Sequence, residues 1–187
     1  DKATDSLFSP SKVVATAKHF TGDGGTTDGI DQGNTEVSEQ ELRDIHGQGY
    51  MSAIESGVQT IMATFNSWNG SKVHGNNYLL NEVLKEQMGF EGFVIGDWNG
   101  HGQVNGCNDE QCAQAINAGV DMIMVPFAWR AFFENTVNQV ENGELAITRI
   151  NDAVKRILRV KARSGIIGGD RPSERQYSNQ INILGSE

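Results

Sequence analysis

An α/β fold of alternating βα units, amounting to about half of a (β/α)8-type barrel, is what this 187-residue sequence predicts. Three observations carry that expectation. Short apolar runs of strand length alternate with stretches whose apolar residues recur at helical spacing, the pattern of βα units around a parallel sheet. The runs are apolar throughout, as in strands covered on both faces. Four such runs occur, whereas a closed barrel takes eight strands and about 250 residues. An open doubly wound sheet is the competing architecture. No GxGxxG follows the first run, where Gly22-Asp23-Gly24-Gly25-Thr26-Thr27 fails the pattern, and GxxxxGK[ST] is absent, which weakens a nucleotide-binding version.

The elements follow in order. Val13–Ala17 (VVATA) reads as the first strand. Ser38 with Glu41 three residues on is a capping-box signal, and Leu42, Ile45, Met51 and Ile54 then run helix-like to Gly57, placed as a C′ residue. Val58–Thr64 (VQTIMAT) is the second strand. Leu80, Val83, Leu84 and Met88, at i, i+3, i+4 and i+8, predict the next helix, closed by Gly89. Phe93–Ile95 is the third strand, Ala113–Asn117 a short helix ending at Gly119, and Asp121–Val125 (DMIMV) the fourth strand. Val137 and Val140 lie on a further helix. The last runs from Ile147 to about Ala162, with Ile150, Ala153, Val154, Ile157 and Leu158 on one face and Lys155, Arg156 and Arg159 on another. Residues 1–167 thus form the βα domain, and the polar stretch 168–187 reads as a linker leading out of it.

Composition narrows the partners. The formal net charge is −9 and no Lys/Arg cluster with interleaved aromatics occurs, so nucleic acid is not expected. No apolar stretch reaches the roughly 18–20 residues that span a bilayer, and no membrane association is expected. The chain opens on Asp1 with no signal-peptide pattern, as a mature product or a cut piece would. Cys107 and Cys112 sit close together in GCNDEQC. A local disulfide, two free thiols, or a metal site completed by His101 are the alternatives. A disulfide would place the protein in an oxidising compartment, periplasmic or secreted.

In parallel βα folds ligands gather at the carboxyl ends of the strands. Those ends carry Lys18-His19-Phe20, Phe65-Asn66-Ser67-Trp68-Asn69, Asp97-Trp98 and Pro126-Phe127. Asp97, in GFVIGDWNG (92–100), is the catalytic candidate. Isolated, such a carboxylate is often a helix cap or half of an ion pair. Beside Trp98 and across the rim from Lys18 and His19, it is placed to act as nucleophile or general base. Lys18 and His19, otherwise a surface pair, can donate hydrogen bonds to neutral hydroxyls. Trp98 and Trp68 are either core or an apolar wall for a sugar face. Asp23, Asp28 and Asp31 miss the EF-hand spacing and read as a Gly-rich turn with Asx caps. No Gly-x-Ser-x-Gly and no His-Glu-x-x-His occurs, and no metal site is expected.

At this point the residues resemble a known family. AKHFTGDGGTTDGID, IMATFNSWNGSKVHGNNYLL, LKEQMGFEGFVIGDWNG, INAGVDMIMVP and RINDAVKRILRVK stand in the order seen in glycoside hydrolase family 3, nearest its exo-acting β-glucosidases and β-glucan glucohydrolases. The likeness runs from about Val13 to Lys161. It implies a (β/α)8-type domain in which Asp97 is the nucleophile and Trp98 helps sandwich the sugar in the next subsite. Lys18 and His19 would bind hydroxyls of the non-reducing glucose, and Met62 and Phe65 would line the same pocket. Phe65 stands where tyrosine is often found, so it is read as pocket wall only. Thr21 and Asp23 occupy the proline and histidine positions of the family's N-acetylglucosaminidase branch, which favours the glucosidase branch. There the acid/base is a glutamate on a separate C-terminal domain, outside this chain, as are the first barrel strands. The implied substrates are β-glucosides or β-glucan oligosaccharides. The implied reaction is retaining hydrolysis without a cofactor, and the isolated chain would be inactive without the remaining barrel half.

Overall fold

The computed structural model of the chain describes residues 12–185. The first eleven residues of the expected βα domain and the last two of the expected linker lie outside that range. The first strand, β1 (Thr16–Phe20), begins three residues later than the sequence suggests. Its register explains why: pairing with its neighbour starts at Thr16↔Thr60, so the apolar residues before it have no ladder to join, and Val13 is 88% exposed. Lys18 and His19 therefore lie within the strand rather than beyond it. The peptide bonds Lys18–His19 and Phe20–Thr21 are cis. A two-residue strand, β2 (Asn34–Thr35), follows the glycine-rich turn.

The Ser38 Oγ accepts from the Glu41 backbone N–H at 3.2 Å and starts a helical run. That run passes through Glu39–Glu41 and a π-wound turn, Leu42–His46, into α1 (Gln48–Glu55). Next come β3 (Thr60–Ala63), β4 (Ser67–Trp68), β5 (Ser71–Lys72), the π-wound helix α2 (Tyr78–Gln87) and β6 (Phe93–Ile95). Helices α3 (Ala113–Ala118), α4 (Trp129–Glu141) and α5 (Ile147–Arg163) complete the described elements, and Gly119 ends α3 in the left-handed region at φ 119°. Gly119 has no Cβ penalty there, which is why the helix stops cleanly.

The main sheet is parallel, in the order β1-β3-β6. The expected fourth strand, 121–125, is reduced to a single parallel bridge, Ile95↔Met122. A side chain interrupts the ladder: the Val94 N–H donates to Asp121 Oδ2 at 2.8 Å instead of to a backbone carbonyl. A second sheet, β2-β4-β5, which no periodicity in these short segments signals, joins the loops after β1 and β3. Ile61, Leu80, Leu84, Phe90, Val94, Val120 and Leu145 are buried between the sheet and its helices.

Helix α5 is locked to the base of β6. Arg156 Nη1 donates to the carbonyls of Phe90 and Gly92 at 2.9 and 3.0 Å. Gly92 is required there on steric grounds, because a Cβ would lie 2.1 Å from the Gln59 carbonyl oxygen and 2.7 Å from the Phe90 ring. Backbone cannot yield as a flexible side chain can, so Gly92→Ala should cost at least about 1–3 kcal/mol. A lowered urea midpoint would report it; an unchanged midpoint would show that β6 can shift on its neighbours.

Candidate active site

Parallel strands end at a common rim, and the chemistry-bearing side chains are there. His19 from β1, Phe65 after β3 and Asp97 after β6 line one cavity of about 410 Å³, together with Asp23, Asp31, Gln32 and Asn66. Asp97 is placed by the shortest strand of the main sheet: three residues, then Gly96, whose N–H donates to the Met122 carbonyl at 2.8 Å. The Asp97 side chain is 15% exposed. Its Oδ1 accepts the Trp98 N–H at 2.7 Å, and its Oδ2 faces His19 Nε2 at 3.3 Å. On its other side, His19 Nδ1 meets Asp23 Oδ2 at 2.8 Å. One imidazole thus stands between two carboxylates, and one oxygen of Asp97 is turned to the cavity.

Three loops wall the cavity, and buried polar groups tie them together. Asn66 Nδ2 donates to Thr35 Oγ1 at 2.9 Å, and Thr35 Oγ1 donates to the Gly22 carbonyl at 2.6 Å. Lys72 reaches all three loops: its ammonium donates to the carbonyls of Gln32 at 3.0 Å and Phe65 at 2.9 Å, and to Gln103 Oε1 at 2.8 Å. Burial holds the Lys72 ammonium below the usual lysine range.

The other candidates divide. Trp98, next to Asp97 in the chain, is 55% exposed and packs at a near-right angle against Phe127 at a centroid distance of 6.2 Å. Trp68 is half-buried, donates its indole N–H to the Val37 carbonyl at 3.0 Å and stacks on Tyr78, which makes it a structural residue. Lys18 is exposed and Met62 half-buried, and neither lines the cavity among the described residues. Asp23, Asp31, Gln32, Lys72 and His74 were not singled out from sequence as site residues. Only the aspartates carried a signal, as a turn. Among the described residues no cluster of three or more His, Cys, Asp or Glu is arranged to hold a metal ion.

The loop after Asp97 is closed by a disulfide, Cys107–Cys112. It spans Asp109, whose Oδ2 accepts from Asn99 Nδ2 at 3.0 Å, so the bridge steadies the turn that carries Trp98. Replacing both cysteines by serine should cost about 2 kcal/mol through loop closure. Urea unfolding of the oxidised protein against the double variant measures it, and equal midpoints would show that the turn holds without the bridge.

The chain is similar to known proteins. Residues 3–160 match the Glycosyl hydrolase family 3 N terminal domain. The exo-1,3/1,4-β-glucanase of a Pseudoalteromonas species is 58% identical, with a TM-score of 0.92 over 94% of this chain and 22% of that one. A β-glucosidase of Wickerhamomyces anomalus is 34% identical over 86% of this chain and 21% of its own length. A β-glucosidase of Listeria innocua in complex with glucose is 27% identical, with a TM-score of 0.78 over 88% of this chain and 23% of that one. The chain therefore spans about a fifth of the length of these relatives. Among the described residues no helix is long and apolar enough to cross a membrane.

Proposed function

Because the chain belongs to glycoside hydrolase family 3, we propose that it supplies the nucleophile half of a retaining β-glucosidase or exo-β-glucanase site. That site removes glucose from non-reducing ends. The observation that carries the reading is Asp97, with Oδ1 engaged by its own turn and Oδ2 turned to the cavity against His19. In the first step Oδ2 attacks the anomeric carbon, the bond to the aglycone oxygen breaks, and that oxygen takes a proton from a general acid. In the second step water attacks the glycosyl ester, loses a proton to the same group, and Asp97 departs as carboxylate. Carboxylates and water suffice, and no cofactor is called for. Phe65 would wall the pocket and Trp98 would stack on the adjacent sugar. His19 would turn a ring nitrogen from its carboxylate partners to a sugar hydroxyl. Lys18 and Met62, which do not line this cavity, would join the sugar site only in the complete barrel.

The acid/base glutamate and the rest of the barrel would come from other parts of a longer protein. Support for that comes from the far side of the sheet. The groove lined by Ile123, Val125, Trp129 and Phe133 is apolar, and Phe133 is 67% exposed, as a face awaiting further βα units would be. The disulfide fits a periplasmic or secreted enzyme.

Trapping the full-length enzyme with a 2-deoxy-2-fluoro β-glucoside and mapping the labelled peptide tests the assignment. The label should sit on Asp97, and a label on another carboxylate would refute it. A second reading, a half-barrel with no catalysis of its own, is favoured by the same open groove. It predicts negligible turnover of an aryl β-glucoside by the 187-residue chain alone; strong activity from that chain would overturn it.

A further inference from the structure

The ladder between β3 and β6 stops short of the residue that matters. Their register runs Thr60↔Phe93, Ile61↔Val94 and Met62↔Ile95. Continued two residues further, it would set Thr64 opposite Asp97. The Asp97 N–H points to that side, since the preceding Gly96 N–H is taken by Met122 on the other. No backbone carbonyl meets it. Instead it donates to His74 Nε2 at 2.9 Å. His74 is 1% exposed and comes from the turn that follows β5, so an imidazole stands where the next rung would be. Accepting through Nε2 assigns the ring proton to Nδ1, and a backbone hydrogen bond with Thr64 accounts for it. The ring bridges the diverging strand ends as a spacer.

Two further observations show that the fit is specific. Gly100, on the same turn as Asp97, lies so close that a Cβ there would come within 2.3 Å of His74 Nε2. Burial pulls the imidazole down to about pKa 4, so the ring is neutral, with a free lone pair on Nε2, across the neutral range. A buried imidazolium could not accept from an N–H, and a buried amide left without an acceptor is costly.

We propose that His74 is a positioning residue for the Asp97 nucleophile: by accepting the Asp97 N–H it fixes the peptide from which the carboxylate projects. This rests on the reading of Asp97 given above. The effect should fall mainly on attack, because His74 is not among the residues lining the cavity and reaches it only through the Phe65 ring, 6.0 Å away between centroids. A side chain displaced by about 1 Å can cost on the order of 100-fold in rate while ground-state binding survives.

The test uses the full-length enzyme and 2,4-dinitrophenyl 2-deoxy-2-fluoro-β-glucoside, with active sites counted from the dinitrophenolate burst so that misfolded protein does not enter. His74→Leu should lower the inactivation rate constant about 10- to 100-fold and leave the inhibitor dissociation constant within about threefold. His74→Gln, whose amide oxygen can take the place of Nε2, should recover most of that loss. Should His74→Leu give no soluble enzyme, Gly100→Ala makes the same test by pushing the ring off the Asp97 N–H, and the same split is expected. An unchanged rate constant, an equal loss in the Leu and Gln variants, or a loss carried by the dissociation constant would each overturn the proposal while leaving Asp97 as nucleophile. Wild-type enzyme labelled on a residue other than Asp97 would overturn both.

Discussion

Asp97→Ala in the full-length enzyme should lower kcat on an aryl β-glucoside by roughly 10⁴-fold or more, the scale seen when a residue at the centre of covalent catalysis is removed. The expectation follows from the geometry. The carboxylate is the group at the rim with one oxygen tied to its own turn and the other aimed at the cavity, and its side chain is only 15% exposed. Truncation leaves a hole where the nucleophile stood, with His19 still held by Asp23 at 2.8 Å. That hole provides a control. Azide ion added to the variant can enter from the same side, attack the anomeric carbon and expel the aglycone, giving the α-glucosyl azide. Restored release of aglycone with that stereochemistry separates a missing nucleophile from a collapsed site. A variant retaining wild-type kcat would remove Asp97 from the mechanism, and one that is inactive yet unresponsive to azide would point to a structural role.

What the sequence made readable divides along physical lines. Strand β6 falls where the run Phe93–Ile95 placed it, and α5 occupies Ile147–Arg163, because local periodicity and burial coincide there. The Ser38 cap was equally legible, being a contact between residues three apart. Boundaries set by a partner were not. β1 begins at Thr16 because β3 begins at Thr60, and the fourth strand is cut to one bridge because the Asp121 carboxylate takes a ladder donor. Neither fact is encoded within the strand concerned. In the site, Asp97 and His19 were visible because strand ends are where ligands gather, while Lys72 and His74 were not. Those two lie in SKVHG, a polar turn with no periodicity, and acquire meaning only when Gln32, Phe65, Gln103 and Asp97 are brought to them from elsewhere in the chain.

Asp121→Asn should be the most damaging substitution for stability, at about 3–5 kcal/mol, the cost of breaking a buried ion pair by removing one partner. Asp121 has a fully buried side chain and serves two cations. Its Oδ1 takes the Lys85 ammonium at 2.9 Å and the Arg149 guanidinium, while Oδ2 takes the Val94 N–H. An asparagine can keep one oxygen on Val94, but its NH₂ then faces two donors. Burial already lowers the Lys85 pKa to about 8, with Asp121 opposing that shift. Loss of Asp121 lowers it further. A lysine depressed in the folded state binds fewer protons than in the unfolded chain, so the folded state gains stability as pH rises through that window. The variant, whose Lys85 gives up its proton at lower pH, should therefore recover part of its deficit as pH rises towards about 8, above which both proteins gain stability in parallel, with the loss of the Arg149 contact remaining. Urea midpoints of both proteins across that range measure this, provided the m-values agree. A deficit that is constant with pH would place the cost in the Val94 and Arg149 contacts alone, and a deficit below about 1 kcal/mol would show that the pair contributes little beyond its own desolvation.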